Sequence, residues 1–148
     1  MQYTQAEQGR IFILRLEQGE TIHAVVEEFA RRQNIHAAIL TALGGADASS
    51  TLVVGPEDGT ARPVQPMHHQ LPDVHEVIGS GTIFPDQEGS PVLHMHLSCG
   101  RGKNAITGCI RPGVVVWQIL EIVLQEIHCS RGMRKLDPEL GVGVLDCS

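Results

Sequence analysis

The segment of this chain best suited to chemistry is His94-Met95-His96. Its surroundings, Val92 to Ser98, read as a strand. Strand side chains alternate between faces, so His94 and His96 project from the same face, roughly 6.6–7 Å apart along the chain. Two imidazoles in that position can each aim a nitrogen at a common point, which is a two-point clamp for a metal ion. A glycine-rich turn over Cys99 to Asn104 follows, and Ala105 to Ile110 forms the return. A turn centred near Arg101-Gly102 sets position 109 opposite 94 and position 107 opposite 96, placing Cys109 on the face of the histidines. A thiolate with two imidazoles is a three-ligand set that suits zinc and leaves a fourth position open. A slip of one residue would turn Cys109 to the other face.

The same residues admit other readings. Cys109 beside His94 could be a nucleophile with its base, and a His-x-His strand also occurs with both rings satisfied by backbone groups. His75, on the preceding strand, is a candidate fourth ligand or a supporting contact, while Glu76 faces the opposite way. Glu121, within a long apolar run, is either a buried acid near the site or a residue in water. His68 and His69 are adjacent on an extended, proline-rich segment, so they point to opposite faces and do not share an ion. His23 and His36 flank a helix without a partner at helical spacing and read as solvated or capping residues. There is no G-x-S-x-G, no P-loop and no G-x-G-x-x-G opening a helix.

These residues need a scaffold, and the sequence describes one. Ile11 to Leu16 is a short apolar run ending in a turn at Glu17-Gln18-Gly19. Ile22, Val25, Val26, Phe29 and Ala30 then repeat at helical spacing, with Asn34 as a left-handed stop. Ala37 to Leu43 predicts a strand broken by Gly44-Gly45, a bulge or close approach, before a second strand at Thr51 to Val54. Arg62 to Pro72 is an irregular or edge segment because of its prolines. Val74 to Phe84 is strand-like, and Gly79 and Gly81 leave one face bare. Val114 to Ile127 is the longest apolar run, and its β-branched content favours a strand over a helix. The residues beyond Cys129 form a turn-rich tail. The expectation is one α/β (α+β) domain with a largely antiparallel mixed sheet and one main amphipathic helix. Its divisions are a tail over 1–9, the domain over 10–128, and an extension over 129–148 packing on it.

Composition narrows the function classes. Of 148 residues, 42% are hydrophobic and 19% charged, which excludes disorder, a coiled coil and a collagen repeat. No apolar run reaches the length of a membrane span, so no membrane role is expected. The net charge of −6 makes nucleic acid a poor partner, and Arg131, Arg134 and Lys135 form only a short basic patch. The polar start, Met1 to Arg10, and four cysteines without a CxxC predict a cytoplasmic protein with free thiols. Long apolar strands with few charges to protect their edges predict a trimer formed through the sheet edges.

The joint order of these pieces resembles the PPC domain (plants and prokaryotes conserved domain). The resemblance rests on Phe12-Ile13-Leu14-Arg15-Leu16 with Gly19-Glu20, on Ala42-Leu43-Gly44-Gly45, and on His75-Glu76-Val77-Ile78-Gly79-Ser80-Gly81-Thr82-Ile83. Leu93-His94-Met95-His96-Leu97, Thr107-Gly108-Cys109 and the final strand with Glu121 complete it, so it spans about residues 10 to 128. It implies a homotrimer whose His-x-His strand and the next strand build a site that can hold zinc. Where the family pattern closes with Gly-Gly-His, this chain has Gly108-Cys109, so the third ligand would be a thiolate, or the site is altered. The family also carries a DNA-binding label, but in plant relatives the contacts come from AT-hooks with an Arg-Gly-Arg-Pro core. This chain has none; Gly100-Arg101-Gly102-Lys103 is a superficial echo. The expected function is a homotrimeric, zinc-binding module that binds a small-molecule ligand or regulates. A metal-dependent enzyme acting on a small molecule is the alternative, and a DNA-binding protein the second alternative.

Overall fold

Alternation of apolar and polar residues along successive strands gives this protein a sheet with one covered and one open face. The computed structural model describes residues 1–148. In chain order the elements are β1 (Glu7–Glu17), α1 (Ile22–Arg32), β2 (Ala38–Ala46), β3 (Thr51–Pro56) and β4 (Pro66–Gln70). They continue with β5 (His75–Pro85), β6 (Pro91–Arg101), β7 (Asn104–Gly113), β8 (Val116–His128), β9 (Met133–Asp137) and β10 (Val142–Asp146). Eight strands form one sheet in the order β1-β8-β2-β5-β6-β7-β3-β4, and β9 and β10 form a separate ribbon. Every strand pairing is antiparallel. This is a small single-domain α+β fold with one helix.

The helix covers one face. Ile22, Val26 and Ala30 are fully buried along its apolar stripe, where they meet Leu40, Leu93, Met95, Leu97 and Leu124 in a single core cluster. Phe29 meets Phe12 of β1 edge-to-face, with ring centroids 5.2 Å apart. Asn34 takes φ 55° just past the helix, the left-handed stop its side chain tolerates. Burying Leu93, Met95 and Leu97 against this helix fixes the parity of β6, so His94 and His96 must face the other way.

The open face can be followed across all eight strands along one line of paired residues. Ile13, Val123, Thr41, Ser80, His96, Cys109, Val53 and His68 are successive cross-strand partners. Partners share a face, so one surface is apolar at the β1 end and carries the histidines and the cysteine further along. Ile13 and Ile78 on this surface are 82% and 66% exposed.

Glycines set how closely the strands approach. A Cβ on Gly79 would stand 2.0 Å from the His96 carbonyl oxygen, and one on Gly81 2.6 Å from Met95 Cβ. The bare face expected at Gly79 and Gly81 is therefore filled by β6 itself. At Gly44 a Cβ would lie 2.3 Å from the Ile119 carbonyl oxygen, and the β2–β8 register shifts between Gly44 and Gly45. The expected break is thus a bulge, with β2 continuing to Ala46.

Two elements differ from expectation for physical reasons. β1 starts at Glu7 and not at Ile11, because Glu7 and Gln8 pair with His128 and Ile127 and Arg10 bonds to Glu126. The segment 66–70 is an exposed edge strand, in line with the irregular or edge segment expected from its prolines. The turn-rich tail contains the β9–β10 ribbon, whose Gly132 approach packs on Phe84. No helix is long and apolar enough to cross a membrane.

Candidate metal centre

His94, His96 and Cys109 offer ligand atoms that all lie within 4.8 Å of one another. The two Nε2 atoms are 3.3 Å apart and the rings are nearly perpendicular, with an interplanar angle of 82°. Two metal–nitrogen bonds of about 2.0–2.1 Å at a tetrahedral angle enclose a separation of about 3.3 Å. The histidine pair is therefore already spaced for a zinc-sized ion, and the sulfur lies on the same side. Both histidines are exposed and Cys109 is partly buried.

The register that achieves this is not the one expected. His96, not His94, faces Cys109, and the ladder closes at Arg101↔Asn104 around a two-residue turn, Gly102-Lys103. The pairing is shifted by two residues from the expected 109↔94. A shift of two preserves the face, so the convergence of the three side chains survives it. Gly102 has φ +61°, which a tight two-residue hairpin turn demands and which the six-residue glycine-rich stretch does not by itself locate.

His75 does not join this group. It opens β5 with the core-facing parity of Val77 and Ile83, is 8% exposed, and donates from Nδ1 to the Asp73 carbonyl at 2.8 Å. It lines a separate cleft of about 440 Å³ with His69, Cys99 and Arg101 on the opposite face of the sheet. Glu121 is exposed on the open face between Arg15 and Leu43, remote from the histidines. His68 shares the face and the cross-strand line of Cys109 but lies two strands away, about 9–10 Å. His23 is half-buried with an unpartnered Nδ1, and His36 is exposed. The four cysteines are unpaired. Cys99 is fully buried in the core, which pushes its thiol up to about 11.

Several neighbours of the site carry no sequence signal. Thr82 on β5 faces His94 across the ladder, and its hydroxyl accepts from Arg134 Nη2 at 2.9 Å. Arg134 arrives from β9, far along the chain. Arg111, two residues past Cys109, donates to the Leu93 carbonyl and pairs with Glu27 of α1 at 3.2 Å. Glu27 also accepts from the Leu93 backbone N–H at 2.8 Å, tying the helix to the start of the His-x-His strand. The His94 pKa is lowered, first by partial desolvation, then by Arg134, His96 and Arg111. A neutral imidazole is the form that ligates a metal.

Comparison with known proteins places this arrangement in context. The bifunctional protein GlmU of Synechococcus sp. (strain JA-2-3B'a(2-13)) is 28% identical over 134 residues, which cover 89% of this chain and 19% of that protein. The chain thus spans about a fifth of the length of the curated relatives it matches. Among solved structures, the metal-containing protein AF0104 from Archaeoglobus fulgidus superposes with a TM-score of 0.83 at 21% identity, over 97% of this chain and 98% of that one. A plant- and prokaryote-conserved (PPC) protein from Pyrococcus horikoshii gives a TM-score of 0.82 at 21% identity, over 97% of both chains. A candidate DNA-binding protein from Bacteroides thetaiotaomicron gives 0.75 at 18% identity, over 96% of this chain and 97% of that one. At these identities the structural likeness concerns the fold. The Plants and Prokaryotes Conserved (PCC) domain model matches residues 3–128, from before β1 to the end of β8, and the chain belongs to that family.

Proposed function

We propose that this protein is a homotrimeric metal-binding module that holds zinc through His94, His96 and Cys109 and uses the open fourth position to bind a small-molecule ligand. The observation that carries this reading is the convergence of two imidazole nitrogens and one thiol within 4.8 Å on an accessible face. Neutral imidazole and thiolate favour zinc over magnesium or calcium, which take oxygen donors. Three protein ligands leave one coordination position for a ligand. Zinc-equilibrated protein is expected to keep one metal per chain after desalting, and His94→Ala to lose most of it. Retention of a full complement in that variant contradicts the reading.

The assembly is supported by the open face. Ile13, Ile39, Leu43, Ile78, Ile119 and Val123 expose apolar surface on strands that otherwise alternate cleanly. Such a contiguous patch on a sheet face calls for a covering partner, and a further copy of the chain supplies it without another gene product. Light scattering is expected to report three times the 16.1 kDa chain mass; a monomer at micromolar concentration contradicts the assembly.

A binding role is favoured over catalysis because the three-residue group contains no carboxylate that could act as acid or base. Glu27, which accepts from the start of the His-x-His strand, is already engaged by Arg111. The DNA-binding description of the Bacteroides structure suggests a different reading, which the net charge of −6 opposes. No salt-dependent shift of a generic duplex is expected near physiological salt. A cytoplasmic setting fits the four unpaired cysteines.

A further inference from the structure

Beside the histidine pair stands a half-buried cation with no acid of its own. Arg134 donates from Nη2 to Thr82 Oγ1, and its guanidinium carbon lies 5.7 Å from the centre of the Phe84 ring. Its Nε is buried and has no hydrogen-bond partner. The other ion pairs of the chain engage Arg10, Arg15, Arg31, Arg32, Arg101, Arg111, Lys135 and His128, and none engages Arg134. A buried donor left unmade is costly, and a guanidinium presents its donors as a planar fork that matches an oxyanion in two places.

The surroundings make the lack of a counter-charge more pointed. Thr82 faces His94 across the β5–β6 ladder, so the Arg134 guanidinium is anchored one side chain from the imidazole. Arg111 reaches the same neighbourhood from β7, and its field, after burial, lowers the Arg134 pKa. Glu27 offsets Arg111, but nothing offsets Arg134. A divalent ion balanced by a single thiolate would add further positive charge here. Like charges gathered in a partly desolvated place are relieved by an anion.

We infer that Arg134, backed by Arg111, forms an oxyanion subsite beside the His94–His96–Cys109 group and seats the carboxylate or phosphate group of a small molecule. The subsite stands on Arg134 alone; that the same molecule also reaches the open metal position rests on the zinc reading above. Thr82 holds the fork, Phe84 lies against it, and the Nη protons not given to Thr82 are the donors to the anion. The ligand class is therefore a small metabolite with at least one oxyanion.

The test is calorimetric titration of the full chain with malonate and, separately, with inorganic phosphate. Each probe is run on zinc-loaded protein freed of excess zinc and on chelator-treated protein. The two probes distinguish a carboxylate source from a phosphate source. Saturable binding of at least one probe, one per chain, is expected, with Arg134→Gln weakening it tenfold or more at unchanged metal content. Arg134→Lys, which keeps the charge and loses the fork, is expected to fall between. Arg15→Gln on the far end of the sheet should bind as the parent does, which separates a subsite from general attraction. If the parent binds no zinc yet binds a probe that Arg134→Gln abolishes, the metal reading fails and the subsite stands. If the zinc-loaded parent binds neither probe at millimolar concentration, the subsite is overturned whether or not any variant folds. Parent-like affinity in folded Arg134→Gln overturns it equally.

Discussion

Cys109 sits directly opposite His96 across the β6–β7 ladder, and His94 lies two residues along the same face. The candidate metal centre hangs on that pairing. It exists because Leu93, Met95 and Leu97 are fully buried on the other side of β6 and because a two-residue turn at Gly102-Lys103 closes the hairpin. The chemistry is thus positioned by the core and not by the residues that would perform it.

A glycine substitution tests that dependence. Gly79→Ala would place a Cβ 2.0 Å from the His96 carbonyl, a clash with backbone that no side-chain rotation relieves. A stability loss of about 1–3 kcal/mol is expected in urea unfolding. Metal retention should fall as well, since β6 has to move for the clash to ease.

Removing a ligand should do the reverse. His94 and His96 are exposed and make no hydrogen bond except to each other. His96→Ala should change folding stability by about 0.5 kcal/mol or less in the metal-free protein, yet abolish most zinc retention. A large loss of stability without metal would show that the pair is structural.

The pair Arg10–Glu126 predicts an acid-side transition unrelated to the site. Glu126 is 3% exposed and accepts from Arg10 Nε at 2.6 Å, Nη2 at 2.9 Å and the backbone N–H at 3.2 Å. These bonds, the side-chain one above all, hold its carboxyl at about 2 against an ordinary 4.5. A lowered folded-state value means the stabilisation is complete above about 4.5 and is lost as pH falls through about 2. Stability measured against pH should slope downward in that window, and Glu126→Gln should flatten the slope. Arg10→Ala, which leaves the Glu126 carboxylate without its partner, should lower stability at neutral pH and flatten the same slope.

Thiol labelling separates the cysteines by environment. Cys129 is exposed and should alkylate first, Cys109 and Cys147 next, and Cys99 only on unfolding, because burial pushes its thiol up to about 11. Zinc should protect Cys109 selectively. Equal labelling of Cys109 with and without zinc, read by mass spectrometry of the peptides, would contradict its role as a ligand.

What the sequence disclosed and what it hid follow from the range of the forces involved. Alternation is local, so the common face of His94 and His96 was readable, and so was the apolar stripe of α1. The face of Cys109 was readable as well, because an error of two residues in the hairpin leaves parity unchanged. The turn position itself was hidden among several glycines that could each close it. His75 shows the limit more sharply: its type and strand were right for a ligand, but its parity follows Val77 and Ile83 into the covered face. Parity between strands that are not joined by a tight turn is set by packing, which spacing does not encode. Arg134 was visible only as part of a short basic patch, and its place beside the site was hidden because it reaches Thr82 from a ribbon 52 residues later in the chain.

Cobalt(II) loading tests the central claim most directly, because a cobalt-bound thiolate absorbs in the near ultraviolet and a tetrahedral site gives intense visible bands. The account predicts one cobalt per chain with a thiolate charge-transfer band in the parent. It also predicts loss of that band in Cys109→Ser and loss of most bound cobalt in His94→Ala. A parent that binds no cobalt, or a charge-transfer band that persists in Cys109→Ser, would contradict a centre built from His94, His96 and Cys109.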